Sequence, residues 1–292
     1  MMRVTHGMLV DTLLRNLAGN LARMERVYQQ ITSARRIARP SDDPVGTATV
    51  LRLGSAAQEI EQYLANVEQA KTWLDLTDQA LTTVGQSLQR ARELVVQAAN
   101  DALSADDRQA IWQELTALQE QIATTGNSAH AGHYLFAGTL TQTEPFDLST
   151  DPPTYQGNSN PLSRLIDRGV SIEINVTGDT AILPVLQALK QARDAVAAND
   201  PVAIRATLST IDAAHTQLLA AQASVGARVN RLEAQRDRLL DAHTSTLRLL
   251  SEAGDTDMAE AVTRFSKEEL TYRAALQAGA RAIQPTLLDY LR

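Results

Sequence analysis

The side chains in this sequence that could do chemistry are few and thinly spaced. His130 and His133 lie three apart beside Gly132 and could offer two imidazoles to a metal. No carboxylate or cysteine lies near them in sequence to complete a ligand set, so a bare turn is the simpler account. His215 and His243 fall on the apolar seam of a long heptad pattern, where a polar residue more often fixes helix register than binds a ligand. Asp42 with Asp43, and Asp255 with Asp257, could form cation sites or an acid/base pair. Each pair also precedes a helical pattern, and capping of free amides at the positive end of a helix dipole explains it more cheaply. Asn175-Val-Thr177 is a glycosylation sequon, with meaning only in a glycosylating host. There is no Gly-rich phosphate loop, nucleophile elbow or zinc-binding helix motif. With no cysteine in 292 residues there is no thiol nucleophile, thiolate site or disulfide framework. These residues point away from an enzyme, and neither a cofactor nor a metal is expected.

Composition narrows the class further. The chain is 44% hydrophobic but only 4% aromatic, with 21% charged residues and a net charge of −7. That is too apolar for a disordered chain, and its Ala, Leu, Val and Ile content is that of long packed helices. The acidic balance argues against a general nucleic-acid binder, which needs clustered basic surface. Residues 1–39 nevertheless carry seven arginines against Asp11 and Glu25, a basic helix face that is either solvated or turned to an acidic protein partner. No stretch approaches the ~18 apolar residues of a membrane span. Arg3, His6, Asp11 and Arg15 interrupt the N-terminus where a cleaved secretory signal needs its apolar run, so none is expected.

The strongest signal is a heptad repeat. From Val10 it runs through Leu14, Leu17, Leu21, Met24, Tyr28 and Ile31, spaced alternately three and four. A second seam recurs every seven residues at Ile60, Val67, Leu74, Leu81, Leu88 and Val95, with partners three further on at Tyr63, Ala70, Thr77, Val84, Ala91 and Ala98. At 1.5 Å per residue it predicts a helix about 60 Å long. A third helix is predicted from Ser104 to about Thr125, with Ser104 and Asp107 as its capping box. The fourth seam begins after Pro201 and runs Ile204, Leu208, Ile211, His215, Leu218 and onward to Leu250. The last is Met258, Val262, Phe265, Glu269, Tyr272, Leu276, Gly279 and Ile283.

Between about 138 and 183 the pattern changes. Prolines cluster there, Val170-Ser-Ile-Glu-Ile-Asn-Val176 alternates as a half-buried strand does, and Thr154-Tyr155 leads into a Gly157-Asn158 turn. The fold expected is mainly α: an elongated bundle of long heptad-patterned helices with N- and C-terminal helices forming a coiled coil, plus a small inserted β domain. Its parts would be residues 1–45 with 253–292, residues 46–137 with 184–252, and the insert at 138–183. The terminal seams are set off by Arg39-Pro-Ser-Asp-Asp-Pro44 and Ala253-Gly-Asp255. A lone helix with a narrow seam is marginal in water. The two ends therefore either pair with each other and with neighbouring subunits, staying largely disordered until they do, or pack onto the middle helices of their own chain.

Several motifs carry a resemblance. Gln30-Ile-Thr-Ser-Ala-Arg-Arg-Ile-Ala-Arg-Pro-Ser-Asp-Asp-Pro-Val-Gly46 resembles the N-terminal signature of the bacterial flagellin superfamily, and its two-proline form (Pro40, Ser41, Asp42, Asp43, Pro44) is closest to the hook-associated members at the hook–filament junction. Tyr134-Leu-Phe-Ala-Gly138, Val225-Gly-Ala-Arg-Val-Asn-Arg-Leu-Glu233, Leu276-Gln-Ala-Gly-Ala-Arg281 and Leu287-Leu-Asp-Tyr-Leu291 are similar to that superfamily's interior and terminal motifs. The resemblance is collinear over nearly the whole chain and weakest at 140–180. It implies a structural adaptor, secreted unfolded through the flagellar type III export apparatus without a cleaved signal, and located outside the cell on the flagellum. It implies a ring of about eleven copies joining the type 1 hook-associated protein to flagellin, a closed assembly built from like interfaces. It also implies a cytoplasmic export chaperone on the C-terminal segment, and a filament-forming flagellin is the alternative within the same superfamily. A soluble helical scaffolding module outside flagella is the alternative of a different class. Self-assembly is expected from Leu14, Leu17, Leu21, Met24, Tyr28 and Ile31 at one end, and from Met258, Val262, Phe265, Tyr272, Leu276, Ile283, Leu287, Leu288 and Leu291 at the other.

Overall fold

A computed structural model describes residues 6–100 and 103–283. Long helices dominate it, in the order α1 (His6–Ser33), α2 (Pro44–Ala98), α3 (Ala105–Gly126), α4 (Gly178–Ala181), α5 (Leu183–Ala198), α6 (Pro201–Gly254) and α7 (Met258–Ile283). Six short strands lie between α3 and α4: β1 (Ala129–His130), β2 (His133–Tyr134), β3 (Phe146–Asp147), β4 (Thr154–Tyr155), β5 (Ser163–Asp167) and β6 (Val170–Glu173). Each consecutive pair forms its own two-stranded antiparallel ribbon. Residues of the chain fall into two compact units, one from its described residues up to Glu59 and from His243 onward, the other from Ile60 to Ala242.

The central unit is a helical bundle with the ribbons folded onto it. Every position of the α2 seam from Tyr63 to Ala98 is buried, joined by a third row at Trp73, Ala80, Ser87 and Leu94. Three buried rows seven residues apart make the wide stripe of a helix enclosed on more than one side. On α6 the row Ile204, Ile211, Leu218, Val225, Leu232 and Leu239 is fully inside. Its companion row lies three residues on, at Thr207, Ala214 and Gln235, rather than four on at the larger Leu208, His215 and Val229, which are half-buried. α3 starts on the expected capping box, with the Asp107 amide donating to Ser104 Oγ at 3.1 Å and the Ser104 amide to Asp107 Oδ2 at 3.2 Å.

Strand structure begins at Ala129, ahead of the expected insert boundary. β1 and β2 are joined by Ala131 and Gly132, both at positive φ (49° and 81°), as a two-residue turn with the hand of a twisted ribbon requires. The β3–β4 ribbon is plugged into the bundle by Phe146, whose ring packs at 5.4 Å from that of Tyr155. The Tyr155 hydroxyl donates to the Phe136 and Asn158 carbonyls at 2.8 and 3.0 Å. The β5–β6 ribbon buries Ile166, Ile172 and Ile174, and two amides hold it: Asn66 Nδ2 donates to the Leu165 carbonyl at 2.8 Å and Gln235 Nε2 to Asp167 at 2.9 Å.

Candidate assembly surface

In the terminal unit α1 and α7 pack side by side and antiparallel. Three contacts set the register. Leu13 closes on Gly279, where an added Cβ would sit 2.5 Å from Leu13 Cδ2. Arg23 Nε lies 3.3 Å from Glu268 Oε2. The rings of Tyr28 and Phe265 are 6.2 Å apart. Burial along α1 follows Val10, Leu13, Leu17, Asn20, Met24, Val27 and Ile31; along α7 it follows Ala261, Phe265, Glu268, Tyr272, Ala275 and Gly279. Both rows alternate by three and four, the spacing of a coiled-coil seam.

This seam keeps many of the positions expected from sequence, Gly279 among them, and elsewhere moves by one residue. Leu17, Met24 and Ile31 on α1, and Phe265 and Tyr272 on α7, are partly covered by the pair. Leu14, Leu21 and Tyr28 remain 56%, 46% and 55% exposed, and Met258, Val262 and Leu276 remain 43%, 50% and 43% exposed. The inner places beside them go to Leu13, Asn20 and Val27 on α1 and to Ala261 and Ala275 on α7, one residue back along each helix. Leu14, Leu21 and Tyr28 each stand one residue beyond the inner row of α1, as Val262 and Leu276 do on α7. In an antiparallel pair such flanking positions share one edge. One edge of the pair thus carries a row of large apolar side chains that α1 and α7 do not cover for each other. Ile283 ends α7, its side chain outside the description, and Leu287, Leu288 and Leu291 lie outside the described residues.

Two linkers carry this pair, and they are stitched to each other. The Arg36 amide donates to the Gly254 carbonyl at 2.8 Å and the Thr256 amide to the Ala34 carbonyl at 3.0 Å. Arg36 Nη2 reaches the Ala253 carbonyl at 2.7 Å while Nη1 meets Asp43 Oδ2 at 3.2 Å. The carboxylates of the two-proline motif serve the turn. Asp43 Oδ1 accepts from the Gly46 amide at 2.8 Å, and Asp42 from the Arg39 amide at 3.2 Å. The Gly46 amide, with the Arg36 guanidinium, holds the Asp43 carboxyl below its usual range. Pro40 and Ser41 form the exposed turn, and Pro44 opens α2 at a first-turn position where its missing amide costs nothing. Asp257 caps α7 through the Ala259 and Glu260 amides at 2.9 and 3.1 Å, and Asp255 accepts from Ser251 Oγ at 2.6 Å. Capping accounts for Asp43 and Asp257. The part played by Arg36 was hidden in the sequence, because its partners are backbone carbonyls far along the chain.

The other candidates come to structural ends. His130 and His133 are an exposed cross-strand pair flanking the β1–β2 turn, and His133 Nδ1 lies 3.0 Å from Thr141 Oγ1. Among the described residues no three metal-binding side chains cluster. His215 is half-buried on α6 beside the Arg92–Asp212 ion pair. Asn175 is buried, accepting from the Leu162 amide at 2.8 Å and donating to the Asn160 carbonyl at 3.1 Å, so the sequon is closed to modification in the folded chain. Among the described residues no helix is long and apolar enough to cross a membrane.

Comparison with known proteins agrees with this arrangement. The bacterial flagellin N-terminal helical region matches residues 4–141, and the bacterial flagellin C-terminal helical region matches residues 208–291. The flagellar hook-associated protein 3 of Escherichia coli is 29% identical over 179 residues, covering 61% of this chain and 56% of that protein. This chain thus spans little more than half the length of that relative. A Bacillus subtilis flagellin is 27% identical over the full length of both chains. A solved structure described as a flagellar hook-associated protein from Vibrio parahaemolyticus has 26% identity and a TM-score of 0.68, over 73% of this chain and all of that one. The two matched regions contain the terminal helices and both linkers. The chain belongs to the bacterial flagellin family, whose members are structural rather than enzymatic proteins of the flagellum.

Proposed function

We propose that this chain is a structural adaptor at the flagellar hook–filament junction, a ring of subunits joining the hook-associated layer to the flagellin filament. The observation that carries the reading is the uncovered apolar row on the terminal helix pair, Leu14, Leu21 and Tyr28 beside Val262 and Leu276. Large apolar side chains in a contiguous row mark an interaction surface, and heptad faces suit an adaptor because neighbouring helices keep their packing while shifting in register. The two-proline linker and the similarity to hook-associated proteins support the junction over the filament.

In this reading residues 1–45 with 253–292 are the assembly part, residues 46–137 with 184–252 the bundle, and 138–183 the insert. Self-assembly draws on Leu17, Met24, Ile31, Phe265 and Tyr272 within the pair and on the outer row between copies, with Ile283, Leu287, Leu288 and Leu291 extending it. The partners are further copies of the chain, a type 1 hook-associated protein, flagellin and an export chaperone; the location is outside the cell, reached by type III export.

The end-to-end match with a flagellin favours a second reading, a filament subunit. Quantitative proteomics of isolated flagella separates the two. A junction subunit is present at a ring's worth of copies per flagellum, constant as filaments lengthen; a filament subunit rises in proportion to length.

A further inference from the structure

The linker after α1, the start of α2 and the end of α6 line a groove of about 470 Å³ in the terminal unit. Ile37, Val50, Leu51 and Leu250 give it an apolar lining, and Arg35 and Arg39 stand against a single acidic residue, Asp255, so its charged side is net positive. Leu51 is 66% exposed on this lining, an uncommon position for a leucine with no cover. The groove adjoins the C-terminal end of α1. The register of the pair puts the end of α7 at the opposite end, where Gly279 meets Leu13.

We infer that this groove receives residues 287–291, Leu-Leu-Asp-Tyr-Leu, of a second copy of the chain. Three leucines and a tyrosine suit the apolar lining, and the carboxylate between them suits the net positive side. The same copy's segment cannot reach. By register Ile283 lies about 26 residues of α1 away from Arg35, or about 39 Å at 1.5 Å per residue. Leu288 is five residues beyond Ile283, at most about 17 Å of extended chain. The contact therefore runs from the tail of one copy to the linkers of the next. It is heterologous, which closes into a ring or continues as a helix according to the rotation between copies. This rests on the assembly reading above and names where the C-terminal segment goes.

The cysteine-free sequence allows a clean test. Leu51→Cys and Leu288→Cys are introduced in separate copies produced in one cell, and isolated flagella are treated with a short bis-maleimide. The inference expects a cross-linked dimer only when both variants are present, lost with Arg39→Glu and recovered when Asp289→Arg is added in the Leu288→Cys copy. Flagella containing both variants but yielding no dimer overturn the docking while leaving the assembly reading intact. A dilute Leu51→Cys/Leu288→Cys double variant that cross-links within one chain also overturns it. A native chain absent from flagella overturns both.

Discussion

Arg36 and Gly254 are joined through the backbone at 2.8 Å, and the same arginine extends its guanidinium to the neighbouring Ala253 carbonyl at 2.7 Å. One residue thus ties the linker that follows α1 to the C-terminal end of α6, while its other nitrogen steadies Asp43 at the start of α2. The planar fork is needed, because a lysine offers a single point charge. Arg36→Lys and Arg36→Ala should each weaken the terminal unit by about 1 kcal/mol, the low end for a charge-assisted bond since the side chain is half exposed. Hydrogen exchange should quicken at the Arg36 and Thr256 amides in both variants and stay unchanged in the α2 core around Leu81.

Gly126 and Phe146 meet where α3 hands over to the ribbons. A Cβ on Gly126 would lie 2.7 and 2.8 Å from two carbons of the Phe146 ring, which is fully buried. Gly126→Ala gains up to about 1 kcal/mol of helix propensity but overpacks a ring with no room to move, costing about 1–3 kcal/mol. Overpacking should win, and the urea midpoint of the variant should fall.

Leu21 and Leu276 are exposed in the single chain, so Leu21→Asp and Leu276→Asp should leave its thermal unfolding almost unchanged, within about 0.5 kcal/mol. Incorporation into flagella should nonetheless be lost, because each variant places a charge on the apolar row. Thermal denaturation and flagellar fractionation of the same variants read the two effects separately.

Tyr155 links the β3–β4 ribbon to alkaline stability. Burial pushes its phenol up to about 12 from an ordinary value of 10.0. The folded chain then holds a proton that the unfolded chain releases, so stability is complete below pH 10 and declines as pH rises through about 12. Tyr155→Phe should flatten that part of the profile, at a cost of about 1 kcal/mol at neutral pH from the lost donor to the Phe136 and Asn158 carbonyls. Phenolate absorbance and denaturation measured over the same pH range check the sign.

Much of this architecture was legible because heptad spacing, Ser104 with Asp107, and the proline breaks act locally. The α2 seam is read residue for residue because its companion row, from Tyr63 to Ala98, is itself largely apolar. On α1, α6 and α7 the apolar pattern points to Leu14, Leu208 and Leu276, whereas the inner places beside them go to Leu13, Thr207 and Ala275. Size misleads on α6 and α7, where the inner place goes to the smaller residue; on α1 Leu13 and Leu14 are alike in type, and only the pairing with α7 distinguishes them. The Arg36 clamp and the cover over Phe146 depend on contacts distant in sequence, which no local pattern encodes.

The central claim is position on the flagellum. Immunogold electron microscopy with antibody against this chain should label one narrow band where hook meets filament. Label along the whole filament, or none on flagella, would contradict the account.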